Sequence, residues 1–298
     1  MGAGATGGYF GAQLQQAGHD VTFLVRPARA QQLAEQGLVI KGFHQTITLT
    51  PNIIVAEQLP DRPWPLIILA VKHPHLDTVI KQIRPAVGQQ TFILPLLNGM
   101  THLDRLQQQF GDRVLGGLCQ LYATLNSQQH IEQLTPLHRL RFGALSPHQQ
   151  AEVVSLAEQL QGVSFSLQAS DDILSDMWEK YLFLSTLGAA TCLARGDTQR
   201  ILATRGGQAY LSELYAEVLS VMSAAGYQPR PQSVNTLRRT LLNPDTPLVS
   251  SLYRDVIMGS KASESEAIIG TLVGLADTHQ LAVPVLRACW VQLQVNHR

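Results

Sequence analysis

The sequence predicts an α/β protein. A Rossmann-type, doubly wound nucleotide domain occupies residues 1–168, and an all-α domain follows over 169–298. Three observations predict this. The chain opens with G-x-G-x-x-G at Gly2, Gly4 and Gly7. Continuous apolar runs then alternate with helical periodicity, the pattern of a parallel sheet covered on both faces. After Ala169 only helical periodicity continues. At 298 residues the chain is long enough for two domains.

The opening Gly2-Ala3-Gly4-Ala5-Thr6-Gly7 reads as a phosphate loop. Gly2 allows a tight turn out of a strand, Gly4 lets the backbone approach a pyrophosphate, and Gly7 lets the helix pack close to the sheet. The N–H groups and dipole of the helix start then hold the diphosphate. That helix runs from Gly7 to Ala17 with Gly18 at its end, and Val21–Val25 is the next strand. The motif should follow a buried apolar strand, yet only Met1 precedes Gly2. The expectation is a start placed too late in the reading frame rather than a truncated chain, because the other parts of the site are in place.

Leu66–Val71 and Thr91–Leu96 are the next apolar strands, with helices at Leu76–Ile83 and Thr101–Phe110. Short strands are expected near Val114, Leu121 and Leu140, a helix over about Pro147–Gln161, and a last strand at Val163–Leu167. Ser170 with Asp171 and Asp172 reads as a helix start. Helical breaks follow at Gly196, Gly226, Pro229-Arg230-Pro231 and Asn243-Pro244-Asp245. The apolar stretch Tyr181–Ala194 carries Ser185, Thr186 and Gly188 and is shorter than the roughly 20 residues of a membrane span, so it reads as a buried helix.

Composition narrows the function classes. Lys+Arg and Asp+Glu are both 22, which argues against nucleic acid or an anionic membrane as partner. Cys119, Cys192 and Cys289 are far apart and odd in number, with no zinc or disulfide spacing, so a reducing cytoplasm is expected. The opening residues do not read as a signal peptide, so none is expected.

Arg26 ends the second strand, nineteen positions after Gly7. An acid there would bind the ribose 2′-OH of NAD. An arginine suits the 2′-phosphate of NADP, and Arg29 stands by to help. Lys72 and Asn98 close the following two apolar strands, at the carboxyl ends where open α/β sheets bind ligands. Lys72 also reads as a surface charge, and Asn98-Gly99 as turn chemistry. His73 and His75 flank Pro74 with no carboxylate nearby to complete a ligand set, so no metal is expected. Lys180 stands in Met177–Leu184, where little else is charged. A lysine on a mostly buried helix either snorkels to solvent or serves as a general acid. Glu264 follows Ser263 and precedes Ser265 and Glu266, and could equally complement a helix dipole.

In this order the segments resemble the ketopantoate reductase (2-dehydropantoate 2-reductase) family over nearly the whole chain. They are the opening loop, Leu69-Ala70-Val71-Lys72, Asn98-Gly99-Met100, Trp178-Glu179-Lys180, Ser250–Asp255, Lys261–Glu264 and Leu281–Pro284. The resemblance implies that NADPH delivers a hydride to the keto carbon of a 2-oxo acid, most simply 2-dehydropantoate in pantothenate biosynthesis. It implies that Lys180 protonates the developing alkoxide and that Glu264 supports the lysine or the substrate. It further implies that Asn98 touches nicotinamide and substrate, and that Ser251 binds substrate. Gly2, Gly4, Ala5, Thr6, Gly7, Arg26, Lys72 and Asn98 would hold the cofactor, with the substrate in a cleft between the two domains.

The departures concern polar substrate contacts. Family members usually carry Asn four and eight residues after the lysine, where this chain has Leu184 and Gly188. Leu248 stands at a third family Asn, and Leu97 replaces the Gln common before Asn98. The stretch from Ser251 to Glu264 is one residue longer than usual. A more apolar 2-oxo acid or ketone is therefore the second expectation, and an NADPH-binding protein without turnover a third. A homodimer is compatible with the sequence, which does not fix the oligomeric state.

Overall fold

The computed structural model describes residues 1–43, 45–259 and 264–296. The chain divides into two compact units. One comprises Met1–Leu97 and His102–Ile173, the other Asn98–Thr101 and Leu174–Arg298.

The first unit is α/β. Its leading elements are α1 (Ala5–Gln16), β1 (Thr22–Leu24), α2 (Pro27–Gln36), β2 (Leu38–Lys41), β3 (Thr46–Leu49) and β4 (Asn52–Ile54). They are followed by β5 (Leu66–Leu69), α3 (Leu76–Ile83), β6 (Phe92–Pro95), α4 (Thr101–Phe110), β7 (Gly116–Leu125), β8 (Ile131–Gly143), α5 (Gln150–Gln159) and β9 (Ser166–Ser170). β1 pairs in parallel with β4, and β5 with β6. Pro95 closes β6, where the missing N–H costs no ladder bond inside the strand. The remaining strands form a mixed sheet in the order β3-β2-β8-β7, with β9 parallel to β8.

The apolar run of β5 and the helices at Leu76–Ile83 and Thr101–Phe110 are as the sequence predicts. Four readings are corrected. The strand expected near Val114 is only a single bridge to Ile93. The short strands near Leu121 and Leu140 are arms of one long antiparallel hairpin, β7–β8, with a register shift between Leu121 and Ala123. The last strand lies at Ser166–Ser170 rather than Val163–Leu167. Ser170 therefore ends a strand. Its Oγ accepts from the Asp172 N–H at 3.2 Å, and the long helix begins at Ile173. The hairpin of β2 and β3 is a further element that periodicity over four residues did not reveal.

α1 packs Tyr9, Phe10 and Leu14 into the core of this unit with Phe23, Leu33, Ile40, Ile131 and Phe142. The Phe10 and Phe165 rings meet edge to face at 4.9 Å.

The second unit is helical throughout its described residues. It contains α6 (Ile173–Ala194), α7 (Thr198–Leu202), α8 (Gly207–Ala224), α9 (Pro231–Leu241) and α10 (Ser251–Ile257). A π-helical turn (Glu266–Gly270) then leads into α11 (Thr271–Thr278), followed by α12 (Pro284–Asn296). Proline opens α9 and α12, a position where its missing N–H is no loss. Along α6 the hydroxyls of Ser185, Thr186 and Thr191 are buried and donate to the carbonyls four residues back, at 2.6, 2.8 and 2.7 Å. No helix among the described residues is long and apolar enough to cross a membrane.

All three cysteines are buried and outside any disulfide. Cys289 Sγ donates to the Ala189 carbonyl at 3.2 Å. Burial pushes the Cys192 thiol up to about 12 and raises that of Cys289 further still.

Candidate active site

The glycine loop has the shape its spacing predicts. Gly2 has φ +91°, and a Cβ there would stand 2.7 Å from the Ala70 carbonyl oxygen. A Cβ on Gly7 would lie 2.2 Å from the Gly2 oxygen, so only glycine lets α1 start this close to the loop. Around Gly4 the space is open: nothing lies within 4 Å of where its Cβ would be. Gly4 is the N-cap of α1 and no side chain caps that end. Ala5, Thr6 and Gly7 lie in the first turn, whose N–H groups have no acceptor within the helix. Open backbone beside uncapped donors is what a diphosphate requires.

Arg26 follows β1 at the N-cap of α2 and is exposed. Arg29, one turn on, is half-buried and braces the loop. Its Nε donates to the Ala3 carbonyl at 3.0 Å and one Nη to the Gln129 carbonyl at 3.0 Å, with Gln32 alongside. Burial lowers its pKa, and Nη2 is buried without a hydrogen-bond partner. A buried guanidinium nitrogen in that condition fits an anion. Lys72 follows β5 as the N-cap of a short 3₁₀ turn, His73–His75, and the His73 ring meets the His102 ring edge-on at 5.7 Å.

The helical unit gathers three of the candidate residues. Lys180 is half-buried on α6, and its Nζ donates to Asn98 Oδ1 at 3.1 Å. Asn98 Nδ2 in turn donates to Glu264 Oε2 at 3.3 Å. The ammonium only donates and the carboxylate only accepts, so the amide has one orientation that satisfies both. Tyr181 lies beside Gly99, its Cε2 4.0 Å from where a Cβ would stand. The Tyr181 hydroxyl, buried and raised in pKa, donates to the Ile268 carbonyl at 2.8 Å. Gly99 has φ +77°, and a Cβ there would approach the Ala267 oxygen at 2.9 Å. Lys261, Ala262 and Ser263, which the sequence reading joins to Glu264, lie outside the described residues.

A second set of charges fixes α6 at Asp176 and Glu179, one turn and one residue before the lysine, respectively. Arg230 donates to Glu179 at 2.6 and 2.7 Å and also to Asp176, and both carboxylates are buried. These pairs raise the Arg230 pKa. The Trp178 and Tyr227 rings stack at 5.1 Å beside them. Sequence reasoning missed this cluster. Its only signal was two acids on the same helix as the lysine.

The face of α6 beyond Lys180 is apolar. Leu184 is half-buried, and a Cβ on Gly188 would stand 3.4 Å from Leu252 Cδ2. Ser251 is exposed at the first position of α10. Its neighbour Ser250 is buried, caps α10 by accepting from the Tyr253 N–H at 2.9 Å, and meets Thr191 Oγ1 at 2.8 Å. Leu248 is fixed by its backbone to Thr198.

An α/β unit with a phosphate-type glycine loop, and a helical unit carrying a lysine–amide–carboxylate chain, define an oxidoreductase of the dinucleotide-fold class. The chain belongs to the ketopantoate reductase PanE/ApbA family: the family's N-terminal model matches residues 1–147 and its C-terminal model residues 172–296. Over 99% of its length it is 33% identical to an uncharacterized oxidoreductase, YkpB, of Bacillus subtilis, covering 97% of that protein. It is 24% identical to a 2-dehydropantoate 2-reductase of Pyrococcus abyssi, covering 97% of this chain and 94% of the relative. The fold is that of 2-dehydropantoate 2-reductase from Geobacter metallireducens, with a TM-score of 0.87 at 24% identity over 99% of this chain and 98% of the other. It is equally that of D-mandelate dehydrogenase in a ternary structure with NADH and anilino(oxo)acetate, with a TM-score of 0.89 at 20% identity over 99% and 96%.

Proposed function

We propose that this protein is an NADPH-dependent reductase that converts a 2-oxo acid to a 2-hydroxy acid, with 2-dehydropantoate as the first substrate to test. The observation that carries the reading is the chain Lys180–Asn98–Glu264. When bound, NADPH supplies the hydride to the keto carbon. Lys180 then has two tasks. Its ammonium lowers the energy of the oxygen as negative charge develops there, and Nζ gives that oxygen a proton. Asn98 holds the ammonium from one side and Glu264 holds Asn98, so the lysine is aimed before substrate arrives. Lys180 and Glu264 are the proposed catalytic pair, and Ser251 the proposed substrate contact. Gly2, Gly4, Ala5, Thr6, Gly7, Arg26, Lys72 and Asn98 are the proposed cofactor contacts. The open space at Gly4 and the unpartnered Arg29 Nη2 fit a phosphate-bearing cofactor.

A second reading has its own observation. Leu184 and Gly188 lie on the lysine's helix, and the closest side chain to Gly188 is Leu252. The hydroxyls that could have replaced the missing amides, Ser185 and Thr191, are already bonded to backbone. This wall favours a 2-oxo acid with an apolar side group. One assay separates the readings: NADPH oxidation with 2-dehydropantoate and with apolar 2-oxo acids. Turnover with the first supports a role in pantothenate synthesis, and turnover with the apolar acids alone supports the second. NADPH binding with no turnover of any carbonyl would refute both.

A further inference from the structure

The helix after Glu264 changes its hydrogen-bond step twice. The Ile268 N–H donates to the Glu264 carbonyl at 2.9 Å, an ordinary four-residue bond. The Thr271 N–H donates to the Glu266 carbonyl, a five-residue bond, and the Thr271 hydroxyl donates to the same oxygen at 3.2 Å. By the end of α11 the step is four again, with the His279 N–H on the Leu275 carbonyl at 3.0 Å. On the return from five to four, the donor advances one residue while the acceptor advances two. One carbonyl is therefore left without a donor in the helix. Ala267, Ile268 and Ile269 are buried, so a carbonyl skipped there needs a donor from elsewhere in the protein.

Tyr181 supplies it. The hydroxyl donates to the Ile268 carbonyl at 2.8 Å and lies 3.3 Å from the Ala267 oxygen. Burial raises its pKa, so it stays a donor at neutral pH. The ring is backed by Trp178, 5.8 Å away between centroids. Without the extra residue of the π-helical turn, Glu264 would be rotated by about 100° and shifted by about 1.5 Å relative to α11. That movement takes its carboxylate away from Asn98 Nδ2, which lies 3.3 Å from Oε2. The other end of this bond rests on the same turn, since a Cβ on Gly99 would stand 2.9 Å from the Ala267 oxygen. Tyr181, next to Lys180 in the sequence, therefore braces both ends of the Asn98–Glu264 bond.

We propose that the π-helical turn aims the Glu264 carboxylate at Asn98, and that Tyr181 is the positioning residue that holds the turn. The proposal rests on the reading of Lys180, Asn98 and Glu264 as the reacting centre. Tyr181 exchanges no proton with substrate and acts only through Glu264.

The test uses the full chain with its asparagines labelled with ¹⁵N, and the variants Tyr181→Phe, Thr271→Val and Glu264→Ala. Phenylalanine keeps the ring and removes only the donor. In the parent, the Asn98 amide protons are shifted downfield by the carboxylate. Tyr181→Phe should return them to their position in Glu264→Ala. It should also lower kcat by about tenfold, the effect of one hydrogen bond to a charged group. The assay is NADPH oxidation with 2-dehydropantoate or 2-oxoisovalerate, whichever the parent reduces faster. In a Glu264→Ala background the same substitution should change kcat by less than about twofold, because the side chain it acts through is already gone. A tyrosine that only supports the fold would lower the melting temperature and leave the Asn98 signals at the parent's position. That result would overturn the proposal, as would full additivity with Glu264→Ala. Released Asn98 signals in a protein whose parent has no turnover would uphold the placement of Glu264 by Tyr181 and refute instead the reading of the site as a reductase. If Tyr181→Phe does not fold, Thr271→Val decides. The same displacement of the Asn98 signals, smaller in size, upholds the role of the turn, and parent signals overturn it.

Discussion

Lys180 Nζ donates to Asn98 Oδ1 at 3.1 Å, and that contact fixes which way the Asn98 amide faces. With its oxygen committed to the ammonium, the amide has only its NH₂ to offer Glu264, 3.3 Å away. Asn98→Asp keeps the acceptor and removes the donor, setting two carboxylates side by side. One of them then takes up a proton at higher pH than an isolated carboxyl does. The loss of a hydrogen bond to a charged group is worth about 1.5–3 kcal/mol, so kcat should fall by roughly tenfold to a hundredfold. The acidic limb of the pH profile should move upward. A variant with the parent's kcat and pH profile would show that the amide bridge is not used.

The two arginines after β1 should be separable. Arg26 is exposed and makes its contribution only when a 2′-phosphate is present, so Arg26→Ala should reduce a roughly tenfold preference for NADPH while leaving NADH binding unchanged. Arg29 holds the Ala3 and Gln129 carbonyls, so Arg29→Ala should weaken both cofactors and lower the melting temperature. Titration of each variant with both cofactors checks this. An unchanged cofactor preference in Arg26→Ala would remove Arg26 from the cofactor site.

Substrate choice should follow Leu184. A buried polar group without a partner costs about 1–3 kcal/mol, so the hydroxyl of 2-dehydropantoate should bring no advantage over an analogue lacking it. Leu184→Asn should move the kcat/KM ratio towards the hydroxylated substrate by about tenfold. Gly188→Asn should do so less cleanly, because its Cβ would already touch Leu252. A parent enzyme that prefers the hydroxylated acid by about 10⁴-fold, as hydroxyl-reading sites can, would refute the apolar wall as the determinant.

Stability of the 298-residue chain should rise with pH between about 5 and 8. Burial pushes the Met1 ammonium down to about 5 from its ordinary 8.0. Within that window the unfolded chain holds a proton on this group that the folded chain does not, so raising the pH favours folding. Above pH 8 both forms are neutral and the effect is complete; below pH 5 both are charged and the full penalty remains. The span corresponds to roughly 2–4 kcal/mol from this one group. Thermal melts of the chain and of a form extended before Met1, recorded across that range, give the comparison. The extended form has a peptide nitrogen there and should lose this component, and identical pH dependence in both would assign it elsewhere.

What could be read in the sequence was whatever is local. The glycine loop and α1 depend on contacts within a few residues, and Gly2, Gly4 and Gly7 announce them. The parallel strands β5 and β6 carry unbroken apolar runs because both faces are covered. The hairpin of β2 and β3 escaped because each strand is four residues long, with two buried residues in the first and one in the second. The extent of β7 and β8 escaped because pairing, not periodicity, sets how far a hairpin runs. In the site, Lys180 and Glu264 were visible as charges in apolar or capping contexts. The role of Asn98 as their bridge was not, because it depends on 82 residues of separation on one side and 166 on the other. Likewise nothing local distinguished the buried cap Ser250 from the exposed Ser251.

The burial of all three cysteines has a practical consequence. A thiol reacts as its thiolate, and the Cys192 and Cys289 sulfurs are held protonated well above neutral pH while Cys119 is enclosed in the first unit. Maleimide reagents should therefore pass over the native protein in its folded state. A single cysteine introduced at an exposed position, such as Val295 or Met258, would be the sole fast-reacting group. The helical unit can thus carry a fluorophore or spin label without first being stripped of its own sulfur.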